Sequence, residues 1–522
     1  MIRKSLPIGI QDFTTIRSED FYYVDKTSLI RQLVEEGRHY FLSRPRRFGK
    51  SLLLDTIRAL FAGEEALFRG LAIHDHWDWS VPHPVLRLSF GGKSDRPVEI
   101  EGDIIEQLEA VEDDYGLTPA HTSNTGPRRL RNVLRRVHQK TGHRVTVLVD
   151  EYDKPILDAL GDPDRARANR DYLRGVYGLI KDSAEHVRFV FVTGVSMFSK
   201  VSLFSGLNNL KDISLDPRFA TLCGYTDADL DTVFAPELEG LDRDEIRTWY
   251  NGYRWGGDAR LYNPFDMLLL FDNRRFKPYW FQTGSPTFLF DTLKAKSVSP
   301  MELEGRLADE ALVSTFEVED ISAEALLFQT GYLTITEERQ EGHRTVYRLD
   351  SPNQEVRLSL NDQLLAALNP KDRMPLKEGE TLRTFLEAHD FAGFADTLKA
   401  WLASIPYQWH SNDLARYEAW YASLLHMAFR AIGVDVRAEE ASSHGRADMV
   451  VSLGNEIFIL EFKMAANADE AASALAAALT QMRERGYAEK YRGRPVHRIA
   501  VACGREARNL LEVRAERDRN PT

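Results

Sequence analysis

Two short runs in this chain carry residue types suited to phosphate chemistry. In "RPRRFGKS", Arg44 to Ser51, Gly49 would let the backbone approach an anion, Lys50 can reach terminal phosphates, and the Ser51 hydroxyl can ligate Mg²⁺. Arg46 and Arg47 add positive charge, and Phe48 completes the loop before the glycine. The phosphate-loop pattern GxxxxGK[ST] would have glycine where this chain has Arg44, and "GKS" alone recurs by chance. The second run is "GRADMVVSLGNEIFILEFKM", which holds Asp448, Glu461 and Lys463. Two carboxylates can hold one or two Mg²⁺ ions and a lysine can position a water or a phosphate, which is what phosphodiester hydrolysis needs. The Phe462 carbonyl is a further candidate ligand.

Such residues work only if the chain places them. "RHYFLSR" is apolar enough for a buried strand, and "KSLLLDTIRALF" has the leucine spacing of a helix packed on a sheet. Strand, tight loop and helix together point free N–H groups at an anion. A second strand, "RVTVLVD", ends in Asp150 and Glu151: Asp150 would hold Mg²⁺ and Glu151 would orient or deprotonate a water. A third, "VRFVFVTG", brings Thr193 to a strand end, where a hydroxyl can sense a terminal phosphate. In the second run, strands flank the turn "GN", so Glu461 and Lys463, two apart, share a face and Asp448 can lie opposite. A Glu-x-Lys on a strand usually means an exposed ion pair; the apolar neighbours Ile457 and Ile459 argue for a buried strand instead.

The 522 residues, 43% hydrophobic and 28% charged, describe globular material with room for several domains. No apolar run is long enough to span a bilayer and the first residues lack a signal-peptide core, so a cytoplasmic location without membrane attachment is expected. Cys223 and Cys503 stand alone and read as core residues. A net charge of -12 excludes a uniformly basic coat, leaving local patches to bind nucleic acid. One such patch runs from Gln481 to Arg508, rich in arginine, while the helix "RRLRNVLRRVHQK" reads as mainly structural. Asp25 or Thr27 would cap the helix "SLIRQLVEEG", and Asn208 and Asn209 read as a turn. Texture divides the chain into an α/β block (1–215), a mostly helical lid and connector (216–400) with a strand pair near "GYLTITEERQEGHRTVYRLD", and a small α+β block (401–522).

The runs "LPIGIQDF", "YYVDKTSLI", "FLSRPRRFGKSLLL", "LVDEYDKP", "FVTGVSMFSKVSLFSGLNNL", "WYNGYRW" and "YNPFD" together resemble the bacterial AAA-ATPase-like family, whose members often carry a C-terminal PD-(D/E)XK nuclease domain. In that family "RPRRFGKS" is the usual loop, and the resemblance implies Lys50 and Ser51 as nucleotide and metal contacts with Asp150 and Glu151 as the Walker B pair. The last block is similar to the αβββαβ core of the PD-(D/E)XK fold: Asp448, Glu461 and Lys463 match its D-x12-ExK signature, Gln481 its following glutamine, and Tyr487 completes the pattern. Glu418 is a candidate accessory acid, with Glu439 and Glu440 as rivals. The expectation is an ATP-binding protein coupled to a nuclease that uses Mg²⁺ or Mn²⁺ and acts on nucleic acid, DNA ahead of RNA. The alternative is a nucleotide-dependent switch or an assembly or signalling ATPase whose nuclease-like domain only binds nucleic acid or a protein partner; a homo-oligomer is compatible with both.

Overall fold

The computed structural model describes residues 3–92, 95–118, 125–197, 209–280, 305–310, 322–360, 375–404, 418–442, 445–505 and 507–518. By compactness the chain divides into two units: Met1–Trp280 with Arg306–Gln354, and Phe281–Gly305 with Glu355–Thr522.

In the first unit, strands β1 (His39–Ser43), β2 (Val85–Ser89), β3 (Val145–Asp150), β4 (Val187–Gly194) and β5 (Lys211–Asp212) form one sheet in the order β2-β3-β4-β1-β5. Every pairing is parallel, so all C-terminal ends lie along one edge. All six residues of β3 are buried, as expected of a strand covered on both faces by crossover helices. One covering helix, Gly126–Thr141, buries Leu130, Val133, Leu134 and Val137. Two of its five arginines are spent internally: Arg129 and Arg136 each hold the fully buried Glu112, at 2.6 and 2.8 Å. Asp25 accepts the Thr27 N–H at 2.8 Å, from one place before the cap of helix Thr27–Glu36.

The stretch from 222 to 276 folds around an aromatic core that includes Phe234, Tyr250, Tyr262 and Phe271, with Tyr22 from the N-terminal region. The expected strand pair is present as β7 (Thr334–Glu341) and β8 (Arg344–Asp350), joined by β6 (Arg306–Asp309) in an antiparallel sheet.

The second unit holds β9 (Asp435–Ser442), β10 (Gly445–Leu453), β11 (Glu456–Ala465), β12 (Val496–Gly504) and β13 (Leu510–Arg517), ordered β13-β12-β11-β10-β9. Only β11 and β12 run parallel. The strand β13 goes beyond the expected αβββαβ order. Strand periodicity sorts the two faces. Phe458, Leu460 and Phe462 meet Leu386 and Leu398 from the helices Pro375–Glu387 and Phe391–Ser404, whereas Ile457 and Ile459 meet Leu475 and Met482 from the helix Ala468–Glu484. Cys223 and Cys503 are buried and form no disulfide. No helix among the described residues is long and apolar enough to cross a membrane.

Candidate functional site

The sheet order of the first unit builds its centre. Because β4 lies between β1 and β3, its end sets Thr193 between the phosphate-type loop and Asp150. Gly49 adopts φ 89°, a left-handed conformation that glycine reaches without strain, and opens the helix Lys50–Phe61. No side chain caps that helix and its first turn holds no acid, so its leading N–H groups remain available to an anion. Lys50 is 7% exposed, and its Nζ donates to the Arg44 and Pro45 carbonyls, both at 2.9 Å. Burial lowers its pKa, against the opposing pull of Asp150. Ser51 is partly buried. Asp150 accepts from the Thr193 hydroxyl at 3.1 Å and pairs with Arg87 of β2 at 3.1 Å. Glu151 takes a positive φ of 50°, and burial followed by the Asp150 charge raises its pKa. Such a carboxyl is a better proton acceptor than an exposed one.

Arg44, where the motif has glycine, is fully buried and does not serve as a phosphate contact. Its guanidinium donates to the Ser43 and Ser214 carbonyls, both at 2.8 Å, and lies 4.5 Å from the Trp255 ring centroid. Phe48 packs edge-on against Tyr253 and Trp255 at 4.8 and 4.9 Å, and its carbonyl accepts from Gly224 N–H. The "WYNGYRW" run is thus the seat of the loop. Arg46 and Arg47 are exposed, with Arg47 stacked 4.6 Å over Phe265.

In the second unit, β10 and β11 pair in a register that brings Asp448 level with Glu461. Asp448 Oδ2 accepts from the Phe462 N–H at 2.8 Å. Glu461 is 1% exposed; its Oε1 accepts from Lys463 Nζ at 3.1 Å and from the Gln481 side-chain amide. Gln481 also reaches the Tyr487 hydroxyl at 3.4 Å. The other oxygen, Glu461 Oε2, is buried without a hydrogen-bond partner among the described residues. Burial, then the Asp448 charge, pushes the Glu461 carboxyl up to about 7. A carboxylate oxygen left bare beside a second carboxylate fits a divalent cation, which would resolve both the desolvation and the repulsion.

Residues 7–204 match the family model described as a predicted AAA-ATPase, and residues 416–513 match that of the PD-(D/E)XK nuclease superfamily. Among curated proteins, the chain is 53% identical over 516 residues to an uncharacterized protein in the vnfD 5' region of Azotobacter chroococcum mcd 1, covering 98% of each. The chain belongs to the AAA-ATPase-like family with a C-terminal PD-(D/E)XK domain. No solved structure matches it.

Several residues that shape the centres of this AAA-ATPase-like chain escape a motif reading. Arg87 sits in an ordinary-looking alternating strand, and only the sheet register brings it to Asp150. Asp153, 1% exposed, accepts from the Val195 and Ser196 N–H groups at 3.0 and 2.6 Å, tying β3 to the end of β4. A Cβ on Gly194 would come within 2.4 Å of Asp153 and Tyr152, so only glycine fits there. The basic patch is weaker than its arginine count: Arg483 pairs with Glu516, Arg498 with Asp518, and Arg494 serves the Gly454 and Asn455 carbonyls. Glu418 opens the helix Glu418–Ala431 and Glu439 and Glu440 lie in β9, but their side chains, like Asn208, fall outside the described residues. Asn209 is an exposed turn residue.

Proposed function

We propose that this protein is an ATP-binding and ATP-hydrolysing, metal-dependent nuclease that acts on nucleic acid, with DNA the favoured substrate. The observation that carries the nuclease half is the buried, unpartnered Glu461 Oε2 beside Asp448, Lys463 and Gln481. Asp448 and Glu461 would hold Mg²⁺ or Mn²⁺, which when bound supplies Lewis-acid stabilisation and a more acidic water. Lys463 positions the attacking water or the scissile phosphate, and Gln481 fixes the Glu461 carboxylate while Tyr487 steadies Gln481. In the first unit, Lys50 and the N–H groups of the helix start bind the nucleotide phosphates, Ser51 and Asp150 hold the accompanying Mg²⁺, and Thr193 keeps Asp150 oriented. Glu151 takes the proton of the attacking water. Arg46 and Arg47, exposed at the loop tip, lend positive charge toward the phosphates.

The test is cleavage of labelled single- and double-stranded DNA and RNA with Mg²⁺ or Mn²⁺, with and without ATP. Asp448→Ala and Lys463→Ala should each lose cleavage by about a thousandfold or more while nucleotide binding stays intact. Lys50→Ala should lose nucleotide affinity by about a hundredfold and with it the ATP response of cleavage. ATP hydrolysis with no cleavage of any substrate would overturn the nuclease half and leave a nucleotide-dependent switch.

A further inference from the structure

The sheet of the second unit carries another cluster of ligand-type side chains, on the face opposite Glu461. Glu456, the first residue of β11, shares the face of Phe458 and Leu460 by strand periodicity. On β12, His497 pairs in register with Phe458 and lies on the same face as Ile499 and Val501. His389 comes from the short connection between the helices Pro375–Glu387 and Phe391–Ser404, with a positive φ of 55°. That left-handed residue closes the first of those helices, with its N–H on the Leu386 carbonyl and the Asp390 N–H on the Phe385 carbonyl. His389 Nε2 lies 2.7 Å from Glu456 Oε2, and His497 Nε2 lies 3.6 Å from the same oxygen. One donor atom from each of the three falls within 4.8 Å of the others.

The His389–Glu456 hydrogen bond satisfies those two groups and leaves the third unexplained. His497 is 3% exposed, and its buried Nε2, 3.6 Å from Glu456 Oε2, has no hydrogen-bond partner among the described residues. Burial lowers the pKa of His497 against the opposing pull of Glu456, which favours the uncharged imidazole that a metal needs. Burial works against ionised Glu456, but the His389 hydrogen bond, with the charges of His389, His497 and Arg517, keeps its carboxyl below the ordinary value. Phe458 stacks on His497 at 4.9 Å and Phe391 on His389 at 6.4 Å, fixing both imidazole planes in an apolar shell. Zinc–ligand bonds of about 2.0–2.2 Å place tetrahedral donors roughly 3.4 Å apart, so shifts of about an ångström would complete the geometry.

We propose that His389, Glu456 and His497 form a transition-metal site of the Zn²⁺ class that fastens the helical layer to the sheet, separate from the Asp448–Glu461 centre. Two imidazoles with one carboxylate suit Zn²⁺ or Co²⁺, whereas Mg²⁺ prefers oxygen donors. The half-exposed His389 leaves a route of entry and a fourth position for water. Glu456 and Glu461 stand five residues apart on one strand, about 16 Å along it and on opposite faces, so each site can fill without the other.

The experiment uses the full chain, stripped with a chelator and then titrated with Co²⁺ in excess Mg²⁺. Visible Co²⁺ bands are followed, and retained Zn²⁺ is counted by metal analysis after dialysis. One equivalent should bind, equally in wild type and Asp448→Ala, with bands of low-coordinate nitrogen and oxygen ligation. His389→Ala, at an exposed position, and Glu456→Gln, of nearly equal volume, should each weaken binding at least about tenfold and abolish the bands. Circular dichroism confirms that both variants fold. Wild type retaining no Zn²⁺ at micromolar free metal, or both variants retaining it as tightly as wild type, would overturn the site.

Discussion

The two phosphate-type centres differ in how their charges are satisfied. In the first unit the protein answers its own charges: Lys50 donates to loop carbonyls, Arg44 to backbone and an indole face, and Asp150 pairs with Arg87 and Thr193. In the second, Gln481 and Lys463 satisfy one oxygen of Glu461 and leave the other bare inside the protein. A ligand at the first centre must therefore compete with contacts already made, so binding there is coupled to rearrangement. A cation at the second enters a site whose geometry is set and whose cost is carried by the fold. This contrast suits a regulated site and an executing one, and three substitutions bear on it.

The largest effect is expected at Arg44. Arg44→Gly restores the textual phosphate-loop motif, yet it should bind nucleotide more weakly than wild type, because it cuts the loop from Ser214 and Trp255. Three backbone carbonyls lose their donor and a buried volume empties, for a stability loss of about 4 kcal/mol. Thermal unfolding and nucleotide titration report both. Equal or tighter nucleotide binding would show that the loop holds its shape without the arginine, and the contrast between the two centres would weaken.

Arg87 comes next. Arg87→Leu leaves Asp150 buried with the Thr193 hydroxyl but without its guanidinium, at about 2 kcal/mol, toward the low side for a broken ion pair because Arg87 is one-third exposed. Mg²⁺-nucleotide should then stabilise the variant more than it stabilises wild type, since it no longer competes with Arg87 for Asp150. Melting temperatures with and without Mg²⁺-ATP test this, and equal ligand-induced shifts in the two proteins would make Arg87 a bystander.

These residues also show what a sequence reveals. Strand β3, the loop and the β10–β11 hairpin were legible because burial imposes continuous or alternating apolar runs, and residues two apart on a strand must share a face. Glu461 and Lys463 follow from that rule, and Asp448 from the turn that folds β10 back on β11. Arg87 and Arg44 do not: one needs the register of β2 on β3, the other stands where the text shows only a missing glycine. The charge count from Gln481 to Arg508 misled for the same reason, because Glu516 and Asp518, which neutralise Arg483 and Arg498, arrive from β13 and the residue after it. His389, Glu456 and His497 have no motif spacing, and a sheet and a helical turn bring them together.

At Glu461 the effect has a sign and is absent near pH 4. Its carboxyl is pushed from 4.5 up to about 7 by burial and by Asp448, so between those values the folded chain keeps a proton that the unfolded chain has released. The folded state binds more protons in that window, and stability therefore falls as pH rises through it. Glu461→Gln removes the titration: relative to wild type it should be neutral near pH 4 and more stable by about 3 kcal/mol at pH 8 in chelator. Adding Mg²⁺ or Mn²⁺ at pH 8 should erase that advantage, because only the carboxylate gains the cation. Urea unfolding at the two pH values, with chelator and with cation, checks each part. A wild type whose stability stays flat across the window would mean that Glu461 Oε2 has found solvent or a donor, and the second centre would then be as self-satisfied as the first.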